Sequence, residues 1–148
     1  MSLRVTVRPV EQGDRPRWEV LWKGYQDFYK TNLDHVTDGL WQRLLAQEPD
    51  GPVCLIAEID GSIVGFTHYL FHGSCWSEKK RIYLNDLFTD PEVRGKGVGR
   101  ALIEAVYDAA DKADAETVYW LTQDFNTAGR TLYDKVAKLT PFIKYQRP

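Results

Sequence analysis

Polar and apolar residues alternate from Arg4 to Val10 (RVTVRPV), the period of two that a half-buried strand requires, and Pro9 closes the run because proline has no ladder N–H. A helical period follows. Trp18, Leu21, Trp22, Tyr25 and Phe28 recur three or four apart on one helix face, with Asp14 placed to cap it and Pro16 in its first turn. This aromatic stripe reads as core packing; a pocket wall is the other use of such a face. Asn32 to Thr37 reads as a loop, and Asp38 as the cap of a short helix carrying Leu40, Trp41, Leu44 and Leu45. After the breaker Pro49-Asp50-Gly51-Pro52, Val53 to Ile59 is a strand, Asp60-Gly61 a hairpin turn and Ile63 to Phe71 its partner. Gly73 to Lys80 is a polar connection, and Arg81 to Thr89 a further strand ended by Asp90-Pro91. From Gly97 the period is helical again, with Val98, Leu102, Ala105, Val106 and Ala109 on one face and Glu104, Asp108 and Asp111 towards water. Thr117 to Thr122 (TVYWLT), apolar on both faces, reads as a buried central strand. Asn126 caps another helix with Ala128, Leu132, Val136 and Leu139 inward, and Pro141 to Tyr145 is a last strand. The order predicts a mixed α/β fold, one domain over residues 1–148, with a central twisted sheet of about six or seven strands flanked by about four helices.

Composition narrows the function classes. The 148 residues hold 19 Lys+Arg and 21 Asp+Glu, a net charge of −2, which argues against a nucleic-acid partner. No apolar run reaches the roughly 18 residues of a membrane span, and the first residues lack the apolar centre of a signal peptide, so a cytoplasmic protein is expected. Cys54 and Cys75 form no CxxC, and His35, His68 and His72 lack ligand spacing, so neither a metal site nor a disulfide framework is expected. Cys54 reads as a buried strand residue and Cys75 as a loop residue, not as nucleophiles. Asp27, Asp34, Asp38 and Glu48 give the first half an acidic bias, which suits either a cationic ligand or an ordinary solvated helix surface.

The chemistry concentrates between Leu84 and Arg100. A strand runs into a loop with glycine at 95, 97 and 99, and a helix follows at once. Glycine lets a backbone approach a ligand closely. The bare N–H groups at a helix start and the positive end of its dipole favour phosphate, and Arg94, Lys96 and Arg100 add positive charge. The pattern points to a bound pyrophosphate. It is no dinucleotide fingerprint, since GxGxxG counted from Gly95 ends on Arg100, and no GxxxxGK followed by Ser or Thr occurs.

Arg94-Gly95-Lys96-Gly97-Val98-Gly99 resembles the acetyl-CoA loop of the GNAT N-acetyltransferase superfamily, of the form Arg/Gln-x-x-Gly-x-Gly/Ala. The strand before it, the segment Thr117 to Thr122, and Asn126 followed by Tyr133 sit in that family's order, so the resemblance runs from Arg4 to Tyr145. IYLNDLF followed by RGKGVG is similar to the polyamine acetyltransferase branch and the yeast histone/polyamine type. The resemblance implies acetyl-CoA as cosubstrate, a primary amine as acceptor (a polyamine-like small amine, a protein lysine or an N-terminus), direct attack in a ternary complex, and a homodimer. It implies backbone contacts from Leu87, Phe88 and Thr89 to the pantetheine arm, and a pyrophosphate held by Arg94, Gly95, Lys96, Gly97, Val98, Gly99 and Arg100. It further implies a hydrogen bond from Asn126 to the cofactor arm and a proton from Tyr133 for the departing thiolate. Seven residues are two helical turns, so Asn126 and Tyr133 share a face.

Polyamine acetyltransferases read Leu-Glu-Asp where this chain has Leu84-Asn85-Asp86, and an amide is no base. Asp86 is then the candidate base or amine-orienting carboxylate, with a structural acid as the other reading. In a regular strand it points to the face opposite Asn85, and a bulge would change that. The family's glycine shortly after the tyrosine is absent from Tyr133-Asp134-Lys135-Val136-Ala137. A non-catalytic CoA- or acyl-CoA-binding regulatory module is the alternative function class.

Overall fold

The structure, a computed structural model, describes residues 4–148. Strand β1 (Val5–Pro9) leads through a short 3-10 turn into α1 (Arg15–Phe28), followed by α2 (Asp34–Ala46), β2 (Val53–Ile59), β3 (Ser62–Ser74), β4 (Ser77–Thr89), α3 (Val98–Lys112), β5 (Val118–Tyr119) and α4 (Thr127–Val136). The five strands make one sheet in the order β1-β2-β3-β4-β5. The first four are antiparallel neighbours; β5 lies parallel to β4, and α3 supplies the crossover that a parallel neighbour needs. The mixed α/β class and the four helices agree with the sequence pattern, while the sheet has fewer strands than the six or seven expected.

Helices α1 and α2 cover one sheet face. Trp18, Leu21, Trp22, Leu40, Trp41 and Leu44 pack there on Cys54, Ile56, Phe66 and Phe88. Trp18 has no exposed surface, and its ring lies 5.8 Å from Trp22 and 4.9 Å from Trp41. Along α1 the aromatic stripe is core at Trp18, Leu21 and Trp22, half-buried at Tyr25 and exposed at Phe28. Helix α3 covers the opposite face with Val98, Leu102, Ile103 and Val106.

Several local expectations are corrected. Asp14 does not cap α1: its carboxylate takes two hydrogen bonds from Arg8, each 2.8 Å, and one from the Glu11 N–H at 2.7 Å. Helix α2 begins four residues before Asp38, because Asn32 accepts the Asp34 N–H at 2.9 Å and Gln26 the Leu33 N–H at 2.6 Å. Asp38 sits inside the helix, ion-paired with Arg15. The polar stretch from Gly73 to Lys80 is largely strand: β3 and β4 form a long hairpin turning at Cys75-Trp76. Its polarity reflects exposure, with Lys79, Lys80 and Arg81 paired to Asp114, Asp50 and Glu116.

Thr117 to Thr122 is no buried central strand. Only Val118 and Tyr119 pair with β4, at the sheet edge, and Leu121 is exposed. Pro141 to Tyr145 forms no strand, because strand structure exists only through a neighbour's hydrogen bonds and this segment has none within the described residues. Phe142, Ile143 and Tyr145 there are 76%, 76% and 89% exposed. Helix α4 ends at Val136, leaving Leu139 outside it and exposed.

Candidate active site

The glycine loop is built from backbone geometry. After β4, Asp90 accepts the Glu92 N–H at 3.0 Å and pairs with Arg17 at 2.6 Å, which anchors the turn at Pro91. Gly95 and Gly97 have φ of +79° and +83°, a region that side chains disfavour, although a Cβ at either would meet nothing within 4 Å. Gly97 is the residue before α3 and supplies no side-chain cap. Ala101 makes the first helical bond, to Gly97 O at 3.0 Å, so the N–H groups of Val98, Gly99 and Arg100 lack intrahelical acceptors. Arg94 and Lys96 are exposed beside them, and Arg100 pairs with Glu104 at 2.9 Å. Gly99 serves packing: a Cβ there would approach Leu132 of α4 to 3.1 Å. Val98 turns its side chain into the core and leaves only backbone to a ligand.

Beside this loop the sheet opens. β4 and β5 pair only at Ile82↔Val118 and Tyr83↔Tyr119, so β4 from Leu84 to Thr89 has no strand along its β5 side. Phe88 is buried against α1, with its ring 3.0 Å from where a Gly24 Cβ would stand, so it too has only backbone for a ligand.

A bulge sits at the start of the gap. His68 faces Asp86 but Tyr69 faces Leu84, which makes Asn85 the extra residue. Before the bulge Ile82 and Leu84 pack towards α3; after it Leu87 does, while Asp86 and Phe88 turn to the α1 side. Asn85 and Asp86 are therefore on the same side, and Asn85 Nδ2 donates to Asp86 Oδ1 at 3.0 Å.

Asp86 is buried, and its surroundings fix its charge. His68 Nδ1 lies 2.9 Å from Asp86 Oδ2, and Trp18 Nε1 lies 3.0 Å from His68 Nε2. An indole N–H only donates, so His68 Nε2 accepts and Nδ1 carries the proton given to Asp86. Burial pushes the Asp86 carboxyl up, but its interactions with His68 first, and with Tyr25 and Asn85, outweigh it and hold the group below the ordinary carboxylate range. Asp86 is thus an anion at neutral pH and a weak proton acceptor.

Helix α4 forms the other wall. Asn126 accepts the Gly129 N–H at 3.2 Å and donates to Thr122 Oγ1 at 3.0 Å, so capping occupies much of its amide. The Tyr133 ring meets Trp120 edge-on at 5.5 Å. Burial, with Tyr29 nearby, pushes its hydroxyl up to about 12, so Tyr133 carries its proton at neutral pH.

The acidic first half does not gather here. Asp34 pairs with Lys23 at 2.9 Å and Asp38 with Arg15, and with Asp27 they line a groove between α1 and α2 that neither the glycine loop nor Asp86 reaches. The sequence pattern places Trp18 in the aromatic stripe and Tyr29 and His68 in stretches read as acceptor walls, but it joins none of them to Asp86 and gives no signal for Tyr83. The only signal available was the stripe that Trp18 shares with Tyr25, since nothing local tells His68 which helix it faces.

Residues 17–137 match the Acetyltransferase (GNAT) family. The chain is 37% identical over 147 residues to the D-amino-acid N-acetyltransferase HPA3 of Saccharomyces cerevisiae, covering 97% of this chain and 91% of that protein. It is 32% identical over 88 residues to the thialysine N-epsilon-acetyltransferase of Bos taurus, covering 54% of this chain and 51% of that one. The solved structure of the aminoglycoside N-acetyltransferase AAC(6')-Iy in complex with CoA shares the fold, with a TM-score of 0.75 at 20% identity over 100% of this chain and 97% of that one. The chain therefore belongs to the GNAT acetyltransferase family and is an acetyltransferase enzyme.

Proposed function

We propose that this enzyme uses acetyl-CoA to acetylate a small primary amine. The carrying observation is the meeting of bare helix N–H groups, two left-handed glycines and an open β4 edge at a gap into which β4 also brings an ionised carboxylate. Residues Gly95 to Arg100 bind the pyrophosphate, helped by Arg94 and Lys96, and the backbone of Leu87, Phe88 and Thr89 takes the pantetheine arm as a sheet edge takes a peptide. The cosubstrate supplies the acetyl thioester. Asp86 orients the amine, which loses a proton to water before its nitrogen bonds to the carbonyl carbon and the C–S bond breaks. A backbone N–H of β4 past the bulge stabilises the oxygen as it gains charge. Tyr133 protonates the departing sulfur and is reprotonated by the proton that the newly bonded nitrogen loses, and Asn126 holds the wall that carries Tyr133 in place. Amide, CoA thiol and one proton are the products.

The names of the relatives favour an amine on an amino-acid-like skeleton. The exposed apolar segment Phe142, Ile143 and Tyr145 supports a homodimer that covers it. The free cysteines Cys54 and Cys75 suit a reducing compartment such as the cytoplasm. A regulatory CoA-binding module is the second reading, favoured by Asn85, which cannot act as a base.

Acetyl-CoA should raise the melting temperature of the wild type and not that of Gly97→Asp, which places a carboxylate at the phosphate. Thiol release over a panel of D-amino acids, thialysine, polyamines and peptide lysines should then show turnover with at least one amine. No melting shift refutes the cofactor reading, and a shift without turnover supports the regulatory module.

A further inference from the structure

We infer that the acceptor amine carries an aromatic group, and that this group lies on a bare platform made by the rings of Tyr83 and Tyr119 at the mouth of the gap. The inference rests on the proposed function, in which Asp86 holds the amine end of the acceptor.

The register of the sheet places the platform. Ile82 and Leu84 pack towards α3, so Tyr83 between them faces the α1 side. Val118 also packs towards α3, which turns Tyr119 to the α1 side, and Tyr69 and Phe71 do the same for Leu70. Leu70 pairs with Tyr83 and Tyr83 with Tyr119, a row across three strands on one face. His68 and Asp86 form the neighbouring row on that face. Two residues of β3 separate the rows, about 7 Å along the strand. Tyr83 and Tyr119 are also the last pair before β4 and β5 part, so their rings stand where the gap opens.

The row is uncovered. Helices α1 and α2 pack on Cys54, Ile56, Phe66 and Phe88, and none of Leu70, Tyr83 and Tyr119 belongs to that cluster. Tyr83 is half-buried and Tyr119 is 38% exposed. The rings are nevertheless held. Their centroids are 5.1 Å apart with planes 33° from parallel, and His72 meets Tyr119 edge-on at 5.6 Å. His72 Nδ1 donates to the Gly73 carbonyl at 2.7 Å, and its Nε2 lies 2.7 Å from the Tyr119 hydroxyl. Rings fixed in advance lose little freedom when a ligand arrives.

The surrounding charge selects what lies there. The next row pairs His72 with Arg81, whose guanidinium is held by Glu116 at 2.8 Å and lies 5.7 Å over the Trp76 ring. A second ammonium extending from Asp86 along this face therefore meets a cation. An aromatic ring instead covers the two tyrosine rings and gains offset or edge contacts with them. A short carbon chain spans the distance between the two rows. The platform thus favours an arylalkylamine or an aromatic amino acid over a polyamine.

The test compares acetylation of 2-phenylethylamine, propylamine and putrescine at saturating acetyl-CoA. The wild type should use 2-phenylethylamine with a kcat/KM about tenfold above propylamine, mainly through KM, and putrescine no better than propylamine. Tyr119→Thr, which keeps a strand-forming residue at the edge, should cut that ratio to about twofold, and Tyr83→Leu should do the same, each variant first being shown to melt cooperatively. Tyr119→Phe retains the ring and should retain the ratio. A wild-type ratio near one, or putrescine as the preferred amine, overturns the inference. So does an unchanged ratio in both variants that remove a ring. Loss of the ratio in Tyr119→Phe as complete as in Tyr119→Thr overturns recognition by the ring. If D-amino acids or peptide lysines are acetylated and 2-phenylethylamine is not, this inference fails and the proposed function stands. If no amine is acetylated, the proposed function fails and takes this inference with it.

Discussion

Asp86 shows how one side chain's role depends on its partners. Its interactions with His68, Tyr25 and Asn85 keep it ionised, which makes it a better holder of a cation than a remover of protons. Asp86→Asn should therefore raise KM for the amine more than it lowers kcat, as steady-state kinetics at saturating acetyl-CoA will show; a fall confined to kcat would make it the base. The same group contributes to acid stability. Its folded pKa lies below its unfolded one, so its contribution is present above about pH 4 and is lost as pH falls through the folded value. Wild type should lose more stability than Asp86→Asn on acidification below that point, measured by urea unfolding. Tyr133 has the opposite property, a proton held firmly by burial. Tyr133→Phe should lower kcat by roughly 100-fold and leave acetyl-CoA affinity nearly unchanged, and unaltered turnover would assign the residue to packing.

At the scale of elements, two helix starts face the same gap and are built differently. Helix α3 begins on a left-handed glycine with no cap, which keeps its N–H groups available to an anion. Helix α4 begins on Asn126, whose side chain caps it and braces Thr122. Asn126→Ala should destabilise the protein by about 1 kcal/mol through the lost cap, read from chemical denaturation. The Asn85 bulge is the third device. It rotates β4 about its axis so that one strand packs on α3 at both ends and still presents Asp86 to α1.

In the molecule as a whole, two helical layers enclose the sheet and the last residues lie outside it. The segment after α4 places Leu139, Phe142, Ile143 and Tyr145 in water and forms no strand among the described residues. If a second copy covers this segment, light scattering will give twice the chain's 17.1 kDa, and deleting residues 141–148 will halve that mass. A monomeric wild type would remove the homodimer from the proposal.

The sequence by itself determined what depends on neighbours along the chain. The glycine loop is legible because left-handed backbone and a helix start are local properties, fixed by Gly95, Gly97 and the period that follows. The strand Val53–Ile59, the Asp60-Gly61 turn and the Asn126 cap are legible for the same reason. Tertiary structure alone decided which groups meet across the sheet. Whether Asp86 joins Asn85 or opposes it depends on a register with β3 that no alternation of residue types in β4 specifies. The hydrogen bond from Trp18 to His68 joins residues fifty positions apart. The polar β3–β4 arms, the two-residue β5 and the unpaired tail were misread because strand length is set by hydrogen bonds to a neighbour, and composition reports only which faces water touches.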